Sequence, residues 1–258
     1  MAKKILITGA SGGIGKAVAY RAASEGYQLI LTARRKEKLE ELKFDLEKQG
    51  ASVNVIPSDI SSSAGAEALM EEVYQDEGKI DVLINNAGIG YFETIEAMES
   101  KKAVKMMEIN VLAIFYLTKA ALPKMKSQKN GHIINIGSLA GKVATPKASI
   151  YAASKHAVIG FSNALRMEVK PFGIHVSVVN TGPVRTEFFN KADPGGTYEK
   201  SVEKFIIEPD KLAERILLLI EKPKRELNLP WWMNLLAKMY LLFPSFIERS
   251  GHKQLNKK

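Results

Sequence analysis

Short apolar runs alternate with longer segments of helical spacing along this 258-residue chain. β-Branched and aliphatic residues concentrate at 3–8, 28–32, 52–56, 80–84, 132–137 and 174–179. These runs are almost wholly apolar rather than alternating, the pattern of strands covered on both faces. Between them, 14–24, 36–49, 64–77 and 100–126 place apolar residues at helical intervals. Strands alternating with helices predict right-handed βαβ crossovers and an α/β, doubly wound parallel sheet with helices on both faces. No repeat, low-complexity tract or linker divides the chain, so one domain is expected over 1–228, with an apolar and basic extension over 229–258. No stretch reaches about 20 uninterrupted apolar residues, which argues against a spanning helix. The opening MAKKILITGA meets glycine too early for a signal peptide.

Composition adds limits rather than identity. Apolar residues make up 46% and charged residues 25%, the balance of a soluble globular protein. Cysteine is absent, which excludes disulfides and thiol chemistry and is compatible with a cytoplasmic location. The net charge of +9 invites a nucleic-acid reading. However, residues 221–258 hold eight Lys or Arg against three Asp or Glu, which makes a basic tail rather than a basic groove. No base-stacking aromatic pattern accompanies it, so no nucleic-acid partner is expected. The four histidines, His132, His156, His175 and His252, have no metal-like spacing, and no metal is expected.

The first strand runs into Thr8-Gly9-Ala10-Ser11-Gly12-Gly13-Ile14-Gly15. Glycines after a parallel strand let the backbone turn sharply and approach a pyrophosphate. The helix that follows aims its N–H groups and positive dipole end at the anion. The second strand ends LTARRKEKL, with Thr32 and Ala33 where an NAD site normally places a carboxylate for the ribose 2′-OH. Arg34 and Arg35 follow instead. Paired guanidiniums suit a 2′-phosphate, so NADP (NADPH) is expected over NAD.

With TGASGGIG (8–15), Asp59, NNAG (85–88), Asn110, Ser138, YAASK (151–155) and NTGPVRT (180–186) in this order, the chain resembles the short-chain dehydrogenase/reductase family. The resemblance covers about the first 190 residues. It implies a single Rossmann-like domain with a seven-stranded parallel sheet, assembled as a homodimer or homotetramer. It places Gly9, Ser11, Gly12, Gly13, Ile14 and Gly15 on the cofactor phosphates, and Asp59 with Ile60 at the adenine. Asn86, Ala87 and Gly88 would lie beside the adenosine ribose. Asn110 would sit at a helix kink and hold a water for the lysine. Pro183, Val184 and Thr186 would meet the nicotinamide end. Thr181 departs from the proline more common there, which bears on the loop's shape and not on the fold.

Tyr151 and Lys155 are four residues apart, on one helical face. A free phenol near pH 10 exchanges protons poorly at neutrality, and a nearby ammonium favours the phenolate. Moving the phenol to about 7 takes about 4 kcal/mol, which an ammonium in a partly dehydrated site is expected to help supply. Tyr151 then serves as general acid in reduction and general base in oxidation. Ser138, closing the fifth strand, would donate to the substrate carbonyl. Lys155 would also bond the nicotinamide ribose. The expected substrate is a small-molecule carbonyl or alcohol. Epimerisation or dehydration on the same scaffold, and a non-catalytic NADP-binding redox sensor, are the alternatives.

The segment 187–209, rich in Gly, Pro and polar residues with aromatics at 188, 189, 198 and 205, reads as a mobile lid. The stretch 229–247 is very apolar, broken by Pro230 and Pro244. Three readings stand for it: packing on the domain or a partner subunit, peripheral membrane contact through 230–247, or a cover over the substrate pocket.

Overall fold

The computed structural model describes residues 2–245 together with Glu248 and Arg249. The elements run β1 (Lys4–Thr8), α1 (Gly13–Ser24), β2 (Gln28–Thr32), α2 (Lys36–Glu47), β3 (Val53–Val55), α3 (Ser63–Glu77) and β4 (Val82–Asn85). They continue with α4 (Ser100–Met107), α5 (Ala113–Gln128), β5 (Gly131–Ile136), α6 (Ser149–Val169) and β6 (Ile174–Thr181). Then come α7 (Phe188–Ala192), α8 (Thr197–Val202), α9 (Pro209–Glu221), β7 (Glu226–Leu229) and α10 (Trp231–Leu242). Seven parallel strands form one sheet in the order β3-β2-β1-β4-β5-β6-β7. This is the doubly wound sheet that the apolar runs predict.

The two-residue period of the strands sorts the core into two layers. Ile5, Ile7, Leu29, Leu31, Val82 and Ile84 face α1, α2 and α9. Their neighbours Leu6, Ile30 and Leu83 face α3, α5 and α6. Ile5, Leu6 and Ile7 are wholly buried, and each such side chain contributes about 1.5–3 kcal/mol relative to exposure. Local signals fix the helix starts. Ser62 Oγ accepts from Gly65 N at 3.1 Å ahead of α3. Pro209 occupies the first turn of α9, with Asp210 beside it at the positive dipole end.

Two elements depart from the apolar pattern. The helical stretch expected over 100–126 is interrupted by a π-turn at Glu108–Leu112, which joins α4 to α5. The extra residue accommodated in that wider turn rotates Asn110 inward. Ser100–Gln128 as a whole is long and apolar enough to cross a bilayer. Here Ala113, Leu117, Ala121 and Met125 spend its apolar face on the sheet. The strand β7 lies outside the six apolar runs because Asn228 interrupts its only four residues, all half-buried. Its pairing with β6 supplies the missing edge.

Candidate active site

The sheet order reverses at β1, which lies between β2 and β4, and ligands of α/β sheets bind at the carboxyl ends of the strands beside such a point. Gly9 and Gly13 there adopt φ of 65° and 54°, a region in which L side chains are strained. A Cβ on Gly15 would lie 2.6 Å from both Asn86 Nδ2 and the Gly9 carbonyl oxygen, so only glycine lets α1 start this close to β4. Asn86 Nδ2 donates to the Thr8 carbonyl at 2.8 Å. Thr8 Oγ1 accepts from the backbone N–H of Asn86 at 2.9 Å and of Ala87 at 3.0 Å. The Asn86 amide is thus committed to holding the turn's shape.

Helix α1 starts with no side-chain cap and no acid in its first turn. Its N–H groups and positive dipole end are left for an anion. Arg35 Nη2 reaches across to donate to Ser11 Oγ at 3.1 Å and lies near Gly12, while Arg34 and Arg35 are both exposed. Asp59 is held below the usual carboxylate range, chiefly by hydrogen bonds from Ser61 and in part by the Arg34 guanidinium. Ile60 is buried in the core, and Ile14 packs partly buried against the opposite layer. A glycine cradle, an uncapped helix start, two guanidiniums and no carboxylate closing β2 fit the phosphates of a dinucleotide.

Next to this cradle, Asn110 Nδ2 donates to the Ile89 carbonyl at 2.9 Å and to Ser154 Oγ at 3.0 Å. Its Oδ1 accepts from Ile89 N at 2.8 Å. Ser154 in turn donates to the Tyr151 carbonyl, so the π-turn positions the start of α6. Lys155 is buried and donates from Nζ to the Ile136 carbonyl at 2.9 Å. Gly88 borders both groups: a Cβ there would lie 3.3 Å from Asn110 Oδ1 and 3.7 Å from Lys155 Nζ. Ser138 caps the short turn Leu139–Gly141, accepting from Ala140 N at 3.1 Å, and also hydrogen-bonds the Tyr151 phenol. The ordinary capping role and the candidate catalytic role therefore coexist in one hydroxyl. Gly141 is required where that turn meets α6, because a Cβ would strike the Lys155 backbone at 2.7 Å.

The electrostatics differ from the sequence expectation. Burial pushes the Tyr151 phenol above its ordinary value, and the hydrogen bond from Ser138 only partly opposes it. The ammonium expected to lower it sits 5.8 Å from the ring centroid and is directed to the Ile136 carbonyl. Lys155 itself is pulled down to about 8 by burial. Desolvation is the largest cause for both groups in this state.

The exit of β6 closes the site. Its ladder with β7 runs through Thr181, and Gly182 N donates to the Leu229 carbonyl at 2.7 Å. Pro183 is half-buried, and Val184 bridges Ile207. The Thr186 side chain packs 3.3 Å from where a Cβ on Gly13 would stand, so this loop touches the glycine turn. The segment expected as a mobile lid is folded into α7, α8 and a further turn at Glu203–Phe205. The Asp193 carboxylate accepts from Tyr198 N at 2.7 Å and fixes the start of α8. The rings of Phe188 and Phe92 lie 5.8 and 5.6 Å from that of Tyr151, and Phe92 stacks edge-on against Tyr198 at 4.9 Å.

Two contributors escape sequence reasoning. Phe92, four residues beyond NNAG, is the hub of these rings, and its N–H donates to the Ala192 carbonyl at 2.8 Å. Lys142 donates to Glu226, Asn228 and Asn234, tying the Ser138 loop to β7 and α10. Neither carries a local motif; each acquires its role only once distant segments meet.

The short chain dehydrogenase family model matches residues 3–195. An uncharacterized oxidoreductase of Staphylococcus saprophyticus is 35% identical over 227 residues, covering 86% of this chain and 91% of that protein. A short-chain dehydrogenase from Streptomyces avermitilis superposes with a TM-score of 0.83 at 28% identity, over 98% of this chain and 97% of that one. The alcohol dehydrogenase of the archaeon Thermococcus sibiricus, complexed with 5-hydroxy-NADP, gives a TM-score of 0.80 at 30% identity, over 89% and 96% of the two chains. From matched sequence, sheet order and glycine turn together, the chain belongs to the short-chain dehydrogenase family of oxidoreductases.

Proposed function

We propose that this oxidoreductase interconverts a ketone or aldehyde and its alcohol with NADP(H), using Tyr151 as the proton donor and acceptor. The observation that carries the reading is the convergence of Ser138, Tyr151 and Lys155 under a ring of aromatic side chains, beside the glycine turn. The cofactor, when bound, supplies or removes the hydride. Gly9, Ser11, Gly12, Gly13, Ile14 and Gly15 would hold its phosphates. Arg34 and Arg35 would hold the 2′-phosphate, with Asp59 and Ile60 at the adenine and Asn86, Ala87 and Gly88 along the ribose. Pro183, Val184 and Thr186 would border its nicotinamide end. The relative from Thermococcus sibiricus, complexed with 5-hydroxy-NADP, supports NADP.

Ser138 donates to the substrate oxygen and keeps it against the phenol. Tyr151, neutral because it is buried, gives its proton to that oxygen during reduction. Lys155 holds positive charge next to the phenolate left behind, and Asn110 fixes the helix that bears both residues. Phe92, Phe188 and Tyr198 exclude water and favour an apolar carbonyl substrate.

Absorbance at 340 nm tests the proposal, with NADPH and a panel of apolar ketones and aldehydes. Turnover that falls at least about a hundredfold in Tyr151→Phe, with NADPH binding retained, is expected. If no carbonyl supports NADPH oxidation by the folded protein, or if Tyr151→Phe is as active as the parent, the assignment fails. A redox sensor would give the first result. An epimerase or dehydratase would convert substrate with no net loss of NADPH.

A further inference from the structure

Among the described residues, helix α10 is held on one side. Ala237 is buried, and Met233 with Pro230 covers Gly182, where a Cβ would come within 3.2 Å of Met233 Sδ. Asn234 accepts from Lys142 Nζ at 2.9 Å, and Trp232 stacks edge-on against Phe205 at 5.4 Å. The opposite side is exposed: Trp231 is 73% exposed, Leu242 72%, Leu235 54% and Met239 47%. At 3.6 residues per turn, Trp231, Leu235 and Leu242 fall on one stripe, with exposed Lys238 on its edge. Leu236, Leu241 and Phe243 are exposed as well. A contiguous apolar surface of this kind marks an interaction site rather than ordinary exposure.

The charge of the helix and of the chain beyond it selects the occupant. Lys238 on the helix and Arg249 beyond it are exposed. Residues 231–258 carry five basic against one acidic side chain. Phe246, Ile247, Lys253, Lys257 and Lys258, which belong to the apolar and basic extension expected from the sequence, lie outside the described residues. A second copy meeting this face across a two-fold axis would bring like charges together. An anionic bilayer brings the opposite charge, and its interface accommodates an exposed tryptophan.

We propose that α10 lies in the interfacial layer of an anionic membrane, with Trp231, Leu235 and Leu242 inserted and Lys238 and Arg249 at the headgroups. The helix rests on the Gly182 loop and, through Lys142, on the Ser138 loop, so docking brings the loops that border the site to the membrane. A membrane-dissolved, apolar carbonyl compound then reaches Tyr151 without crossing water. That last consequence rests on the proposed function; the docking itself does not.

Sedimentation of the full chain with vesicles reads docking without catalysis. The probes are phosphatidylcholine vesicles and vesicles of phosphatidylcholine with phosphatidylglycerol. The protein is expected to pellet with the anionic vesicles about tenfold more tightly than with the neutral ones, and to be released by salt. The triple variant Trp231→Ser, Leu235→Ser, Leu242→Ser should lose at least about tenfold in binding while keeping its melting temperature, since all three side chains are exposed. Lys238→Glu with Arg249→Glu, which leaves the apolar face intact, should weaken only the anionic preference. Parent protein that stays in the supernatant with anionic vesicles overturns the proposal. So does a triple variant that binds as well as the parent, or a charge variant with undiminished anionic preference. Parent protein that ignores vesicles but forms an oligomer broken by the triple variant assigns the face to a second copy instead.

Discussion

Replacing Lys155 with methionine isolates the cost of burying its charge. The ammonium lies in the interior with one carbonyl partner, and burial lowers it from the ordinary 10.5 to about 8. Below about pH 8 the folded protein carries a desolvated cation that the unfolded chain hydrates freely. Between about 8 and 10.5 the unfolded chain binds this proton and the folded one does not, so stability rises with pH across that window. From pH 8 to 9.5 this group alone should add about 2 kcal/mol, within a full amplitude of about 3 kcal/mol. Urea unfolding of the parent and of Lys155→Met, at half-unit steps from pH 7 to 9.5, measures the difference. The tyrosines common to both proteins cancel in the comparison. The parent should gain about 2 kcal/mol relative to the variant over that interval. Stability curves that run parallel would refute the argument that Lys155 is a desolvated, weakly compensated cation. The same titration should appear in kcat/KM, which is expected to fall as pH rises through about 8, if the charge on Lys155 assists Tyr151.

The double substitution Arg34→Asp with Arg35→Ala should weaken NADPH binding by about 10–150-fold, the loss of about 1.5–3 kcal/mol from charged hydrogen bonds. Titration by NADPH and NADH fluorescence should show NADH much less affected; equal losses would remove the 2′-phosphate role. His132 is buried, its Nδ1 has no hydrogen-bond partner, and burial with the nearby His175 and Lys3 lowers it to about 3. Because its folded value lies below the ordinary 6.5, its neutral form contributes full stability above pH 6.5 and loses it as pH falls toward 3. His132→Gln should therefore flatten the acid side of the melting-temperature profile; an unchanged acid slope would count against the buried neutral histidine. Phe92→Ala removes ring contacts to Tyr151, Phe188 and Tyr198 and should cost about 1–3 kcal/mol in urea unfolding. It should also raise KM for apolar carbonyls more than for polar ones, and a uniform change would mean that the rings pack the protein without shaping the pocket.

The sheet was legible because all but one of its strands are short apolar runs bounded by glycine or polar residues. The exception, β7, is drawn into the ladder by β6 and by the bonds from Lys142 and Asn180 to Asn228, which no local pattern announces. The spacing of Tyr151 and Lys155 predicted one helical face, and α6 provides it. The spacing could not give the solvation of that face. That depends on Phe92 and Phe188, which arrive from segments 59 residues before and 37 residues after the tyrosine. The arginine pair was visible as a charge pattern, whereas the reach of Arg35 to Ser11 requires the β2 end to lie beside the glycine turn. Reading 187–209 as a mobile lid weighted its Gly and Pro content. The short helices it forms rest also on its aromatic rings and on the Asp193 cap, which depend on contacts between segments.

Burial acts in opposite senses on the two titrating groups, and the opposition bears on the direction of the reaction. It keeps Tyr151 protonated and brings Lys155 close to losing its proton. A protonated phenol is what carbonyl reduction needs at the outset, so reduction should run at neutral pH without any prior titration of Tyr151. Alcohol oxidation instead needs the phenolate, which the aromatic cover disfavours. Proton release must then be assisted by positive charge next to the phenol, and Lys155 supplies that charge only below about pH 8. Raising the pH to ionise the tyrosine therefore discharges the lysine that stabilises it. Within this pair the two requirements of oxidation compete, while those of reduction coincide. Under the proposed function these two residues therefore suit reduction at neutral pH better than oxidation, and the cause is the burial of the pair rather than its spacing.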